Sequence, residues 1–107
     1  MSYRVLVTDT AKQDLREIAL YILEESGSAE TAKQFVNELR SECEKLTDFP
    51  NAGALPKDRI LMSLGYRYIP HKDYLIFYSV DEAQKTVHIL SVFNAKKDYM
   101  RVMRGLI

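Results

Sequence analysis

This chain of 107 residues carries one cysteine, three prolines and four glycines, and each shortage excludes something. Cys43 has no second thiol to pair with. No internal disulfide holds the fold, and a lone thiol fits a reducing compartment, so a cytoplasmic protein is expected. The glycines stand at 27, 53, 65 and 105, too scattered for a phosphate-cradling loop. One cysteine and two histidines, His71 and His88, form no spaced ligand set, so no metal is expected. Gly-x-Ser-x-Gly is absent. Uncharged stretches such as Tyr74–Val80 fall far short of the roughly 18–20 apolar residues of a membrane span. The opening Met1-Ser2-Tyr3-Arg4-Val5 lacks the apolar run of a secretory signal.

The composition is otherwise that of an ordinary globular protein: 47% apolar and 28% charged. The length suits one domain, residues 1–107, with enough buried surface for its own core. Fifteen basic and fifteen acidic residues cancel in the total but not in their distribution. Residues 1–54 hold six Lys/Arg and ten Asp/Glu, and residues 55–107 hold nine and five, so the halves carry −4 and +4. The basic half has an acidic counterpart to meet: nucleic acid, an acidic protein partner, or the chain's own first half.

Tyr3–Thr8 is short and partly β-branched, and reads as a strand. Thr8, Asp9 and Thr10 offer capping oxygens, and Thr10 with Gln13 has capping-box spacing. Ala11, Leu15, Ile18, Ala19 and Ile22 then recur every three or four residues, which predicts an amphipathic helix over 10–26. Gly27 ends it and Ser28 caps a second helix. That helix carries Ala32, Phe35, Val36, Leu39, Cys43 and Leu46 on one face and runs to about Thr47. Cys43 lies on the apolar stripe and is expected to pack rather than react. Residues 50–59 read as a loop. Three strand-like runs follow, at Gly65–Pro70 (starting as early as Ile60), Tyr74–Val80 and Thr86–Phe93. The unbroken apolar character of the middle run predicts a strand central in its sheet. The tail 96–106 has Tyr99, Val102, Met103 and Leu106 at helical spacing.

The expected fold is α+β: an antiparallel four-stranded sheet with an N-terminal helical hairpin packed on it, and a short C-terminal helix or tail. The antiparallel arrangement assumes that the hairpin returns the chain to the end of the sheet where it left. His88 should face the opposite side from Val87 and Ile89, and His71 should sit exposed in a hairpin turn.

The basic residues are the informative ones. Lys57 and Arg59 precede the sheet, Arg67, His71 and Lys72 lie on or beside its second strand, and Lys96, Lys97, Arg101 and Arg104 follow the last. Tyr66, Tyr68, Tyr74 and Tyr99 are interleaved with them. Cations beside aromatic rings suit phosphates, bases or an acidic protein surface.

Several stretches resemble one family in order and spacing. They are the Tyr3–Thr8 strand followed by Ala11–Ile18 and Tyr21-Ile22; Phe49-Pro50 with Gly53; Gly65-Tyr66-Arg67; Tyr74–Val80; and Ile89–Phe93. Together they resemble the RelE/ParE superfamily of bacterial type II toxins, over nearly the whole chain. The resemblance implies a growth-inhibiting toxin without a cofactor, held in check by a cognate antitoxin. RelE-like members cut messenger RNA on the ribosome, and ParE-like members poison DNA gyrase. The nucleases often read Tyr-Arg-x-x-Tyr on the third strand, where this chain reads Tyr74-Leu75-Ile76-Phe77-Tyr78. Leucine cannot stabilise a phosphorane. The resemblance therefore points to the ParE branch, with Arg67, Lys96, Lys97 and Arg101 contacting the target. The nuclease reading would use Lys57, Arg67, His71, Lys96 and Tyr99 for charge and proton transfer. A third reading is a non-toxic member that only binds an antitoxin.

Overall fold

The computed structural model describes residues 2–106, apart from the side chains of Tyr99, Met103 and Leu106. Strand β1 (Arg4–Val7) leads into helix α1 (Asp9–Ser26), and α2 (Ala29–Glu44) returns and tightens into a 3₁₀ turn at Lys45–Thr47. A short helix α3 (Arg59–Ser63) precedes β2 (Tyr66–His71), β3 (Tyr74–Asp81) and β4 (Thr86–Asn94), and α4 (Tyr99–Leu106) closes the chain. Thr8, rather than the Thr10–Gln13 pair, caps α1: its Oγ1 accepts from the Ala11 amide at 3.2 Å. Gly27 ends α1 in the left-handed conformation at φ +66°, and Ser28 caps α2 through the Thr31 amide. Ile60 does not begin a strand. Asp58 Oδ1 accepts from the amides of Ile60 and Leu61 and starts a helical turn there instead.

The strands lie in the order β1-β4-β3-β2, and the sheet is mixed rather than antiparallel throughout. β2, β3 and β4 alternate in direction, but β1 runs parallel to β4, with Arg4 opposite Thr86 and Val7 opposite Ile89. The cause is the direction of α1, which continues over the sheet the way β1 points. Asp14 meets Ser91 and Val92, and one further stretch along, Tyr21 meets Lys97 beyond the end of β4. The hairpin then delivers the chain back to the start of β1, where the Tyr3 amide donates to the Thr47 carbonyl at 2.8 Å. From there β2 runs the same way as β1.

Apolar residues cover both sheet faces. On the hairpin side, Ala11, Leu15 and Ile18 of α1 and Leu39 and Cys43 of α2 pack on Ile76, Tyr78, Val87, Ile89 and Val92. On the other face, Leu61 of α3 packs with Phe77 and Phe93, and Tyr66, Tyr68, Leu75 and Val102 of α4 close around them. β3 is therefore interior in both senses, as its unbroken apolar run predicts. Leu90 bulges from β4, since Phe77 pairs with Ser91 and Tyr78 with Ile89. α1 is sewn to that bulge: Thr8 Oγ1 donates to the Ile89 carbonyl at 2.7 Å, and Asp14 Oδ2 accepts from Ser91 Oγ and the Val92 amide. Among the described residues no helix is long and apolar enough to cross a membrane.

Candidate functional site

The sequence-predicted cations divide between two ends of the sheet. At the end where β3 begins and β4 finishes, the Ala95 amide donates to the Asp73 carbonyl, so the turn after β2 lies beside the segment after β4. Lys72, Lys96 and Lys97 share a cleft there with Tyr21, Phe35 and Tyr74. Lys97 also lines a second cleft of about 190 Å³, bounded by Tyr21, Asn94, Asp98 and Arg101. Asn94 organises the segment, its Oδ1 accepting from the amides of Lys96 and Lys97. Lys97 Nζ donates to the Tyr21 hydroxyl at 2.9 Å and lies 4.5 Å from the ring centroid. That hydrogen bond holds its pKa above the ordinary lysine value. Arg101 approaches Asp98 at 3.5 Å, and Lys96 is exposed. Tyr99 begins α4, and its side chain lies outside the described residues.

Arg67 is elsewhere. It pairs with Tyr78, four residues along β3 from Tyr74, which is about 13 Å of strand. Its Nη1 donates to the carbonyls of Gly53 at 2.9 Å and Asn51 at 3.3 Å, and so clasps the loop between α2 and α3. Lys57 sits exposed in the same loop, three residues beyond Ala54, which bridges to Tyr68 across the free edge of β2. The structure thus brings Lys96, Lys97 and Arg101 together and leaves Lys57 and Arg67 apart from them.

His71 is not an exposed turn residue. It ends β2 and points at α2, with Nε2 3.0 Å from Glu38 Oε1, Nδ1 4.0 Å from Glu42 Oε1, and its ring against Phe35. Lys72 gives Glu38 a second partner at 3.2 Å and lies over the Phe35 ring. Hydrogen bonds from His71 and then Lys72 hold the Glu38 carboxyl below its ordinary pKa. The backbone at Lys72 has φ +56°, a conformation lysine rarely takes. His88, by contrast, stands half-buried between inward-facing Val87 and Ile89, as strand alternation predicts.

Leu75 pairs with Pro70 and Phe93 and packs on the outer face beside Phe77, within a stack formed by Tyr68, Phe77 and Phe93. Sequence reasoning missed a groove on the hairpin. Leu15 and Ala19 of α1 and Val36 of α2 floor a cleft of about 300 Å³ rimmed by Lys12, Arg16 and Arg40. Within the acidic half of the chain this rim is wholly basic. The signal was available, since Lys12/Arg16 and Leu15/Ala19 are both i,i+4 pairs and so form parallel ridges on one helix.

Residues 5–99 match the family model described as the ParE toxin of type II toxin–antitoxin system, parDE. The chain belongs to this family. As a member of the ParE family it is a toxin of the type II toxin–antitoxin class. Its fold is similar to a chain of the chromosomal ParDE system from P. aeruginosa, with a TM-score of 0.72 at 20% identity over 87% of this chain and 96% of that one. It is also similar to a chain of the RelBE2 toxin–antitoxin complex from Mycobacterium tuberculosis, with a TM-score of 0.66 at 22% identity over 88% and 99%. An arginine double mutant of the E. coli toxin RelE in the free state gives 0.62 at 16% identity, over the whole of both chains. Comparison with curated proteins finds no match.

Proposed function

We propose that this ParE-family toxin arrests growth by binding a protein machine, DNA gyrase, and that it cleaves no bond itself. The observation that carries this reading is Leu75. Where phosphate-cutting relatives place a guanidinium, the toxin has a leucine set among Phe77, Phe93 and Tyr68. Metal-free RNA cleavage needs charge at the phosphate and groups that move protons. Two of the residues that could supply them are otherwise engaged: His71 by Glu38, and Arg67 by the carbonyls of Asn51 and Gly53. Arg67 then contributes to the target surface by holding the loop. Lys96, Lys97 and Arg101 contact the target from the other end of the sheet.

A cognate antitoxin neutralises the toxin. The hairpin groove supports this part of the reading, because an apolar floor with three cations on its rim suits an amphipathic segment carrying carboxylates. The deciding experiment is supercoiling by purified gyrase with added toxin, where inhibition or a trapped cleavage complex is expected. Primer extension on translated messages should show no new ends. Codon-position cuts together with uninhibited gyrase would replace this reading with the ribosome-dependent nuclease.

A further inference from the structure

Ile60, Leu61 and Met62 of α3 and Leu64 just after it are apolar, yet only one of these side chains is buried. Leu61 is fully buried under the outer sheet face, while Ile60, Met62 and Leu64 are 52, 42 and 53% exposed. Ile60 and Leu64 lie four residues apart and share a face. Leu55, in the loop leading into the helix, is 50% exposed. A mere connection between α2 and β2 has no need of such a surface.

It is also held rigidly. Tyr78, buried in the core, accepts the Gly53 amide at 2.8 Å, Arg67 binds the carbonyls on either side of Ala52, and Ala54 exchanges two backbone hydrogen bonds with Tyr68. Asp58 then caps the helix. A fixed apolar surface loses little conformational entropy when it is covered.

The charges beside it select the occupant. Lys57 and Arg59 flank Asp58 and are exposed, and neither meets a carboxylate within 4 Å among the described residues. The Asp58 carboxylate is occupied by the helix cap. A second copy docked about a two-fold axis would set these cations against themselves. A helix of five residues is too short to lie along a lipid surface. Aliphatic side chains offer no ring on which bases could stack.

We propose that α3 and the loop before it dock onto the toxin's target protein, in an apolar depression rimmed by carboxylates. This rests on the reading that the toxin acts by binding a protein. It adds a second contact region to the one formed by Lys96, Lys97 and Arg101.

The test uses the full-length toxin with two double variants, Ile60→Ser/Leu64→Ser and Lys57→Glu/Arg59→Glu. Each should raise the concentration that half-inhibits gyrase supercoiling by about tenfold or more and relieve growth arrest on induction. Thermal midpoint and affinity for the cognate antitoxin should stay at the wild-type values. The charge reversal touches no packed atom, so it decides the matter even if the serine variant folds poorly. Unchanged inhibition and unchanged growth arrest in the charge reversal would overturn the proposal. So would a parallel loss of antitoxin binding, binding of the wild type to anionic vesicles, or a wild-type dimer that the variants abolish. If the wild type leaves gyrase untouched, the gyrase assignment fails on its own. Growth arrest then decides about α3: arrest lost with antitoxin binding intact upholds the surface, and arrest retained removes it.

Discussion

The Tyr78 hydroxyl lies 2.8 Å from the Gly53 amide and accepts its hydrogen bond inside the fold. Burial raises the Tyr78 pKa, so the phenol stays neutral there. The approach leaves no room for a side chain at 53, where a Cβ would stand 2.6 Å from the Tyr78 oxygen and 2.9 Å from the Tyr68 carbonyl oxygen. Gly53→Ala should therefore cost about 1–3 kcal/mol by overpacking. Tyr78→Phe should cost about 1–3 kcal/mol by stranding a buried amide. Both variants break one clasp, so the double variant should cost less than the sum. Urea midpoints of the four proteins check this, and strict additivity would contradict it.

That clasp shows where the sequence was legible and where it was not. Helix periodicity identified Ala11, Leu15, Ile18, Leu39 and Cys43 as core, because burial on one helix face is a local property of spacing. The central position of β3 followed from its lack of polar alternation. The partner of β1 did not follow. Alternation says which face a side chain takes but not which strand lies beside it, and the direction of α1 depends on contacts such as Asp14 with the β4 bulge, 77 residues away. Arg67 read as a free functional cation, and His71 as an exposed turn residue, for the same reason. Their partners, the Gly53 carbonyl and Glu38, are distant in sequence. The acidic pair Glu38/Glu42 at i,i+4 was a visible hint that α2 presents carboxylates to a cation.

Glu38 makes stability depend on acid pH in a defined direction. Its carboxyl is held below the ordinary value of 4.5 by His71 and then Lys72, so the folded state binds this proton less readily than the unfolded chain. The stabilisation is fully present above about pH 4.5 and is lost as pH falls through the lower, folded-state value. Glu38→Gln should therefore be less stable than wild type near neutrality, with the gap closing below pH 4.5. Denaturant midpoints from pH 7 down to about 3 read this directly. A gap that widens as acid is added would show that the ion pair is not its source.

Cys43 should be inert. It is 4% exposed on the inner face of α2, and burial pushes its thiol from 9.0 up to about 11. Two pH units leave about a hundredfold less thiolate near neutrality than in an ordinary thiol. Since the chain has a single cysteine, modification by a thiol reagent at pH 7.5 counts one event. Labelling should be slow in buffer and immediate in denaturant. Rapid labelling of the folded toxin would mean that α2 opens from the sheet, and labelling in the presence of antitoxin would then report whether the groove partner closes it.

Asp14 is the joint between α1 and β4. One oxygen accepts from Ser91 Oγ at 2.8 Å and from the Val92 amide at 3.0 Å, just past the Leu90 bulge. Ser91 is 5% exposed, so little water can replace either bond. Hydrogen bonds to a charged acceptor are worth more than neutral ones, and Asp14→Ala should cost about 1.5–3 kcal/mol. Ser91→Ala removes one donor and leaves the amide bond, which should cost about 1 kcal/mol. The pair sits in one network, so a double-variant cycle should give a coupling of at least about 0.5 kcal/mol. Amide exchange adds a local readout. Val92 N–H should lose protection in Asp14→Ala but keep most of it in Ser91→Ala, because only the first variant removes its acceptor. Equal loss in both would place the restraint in the serine rather than in the carboxylate.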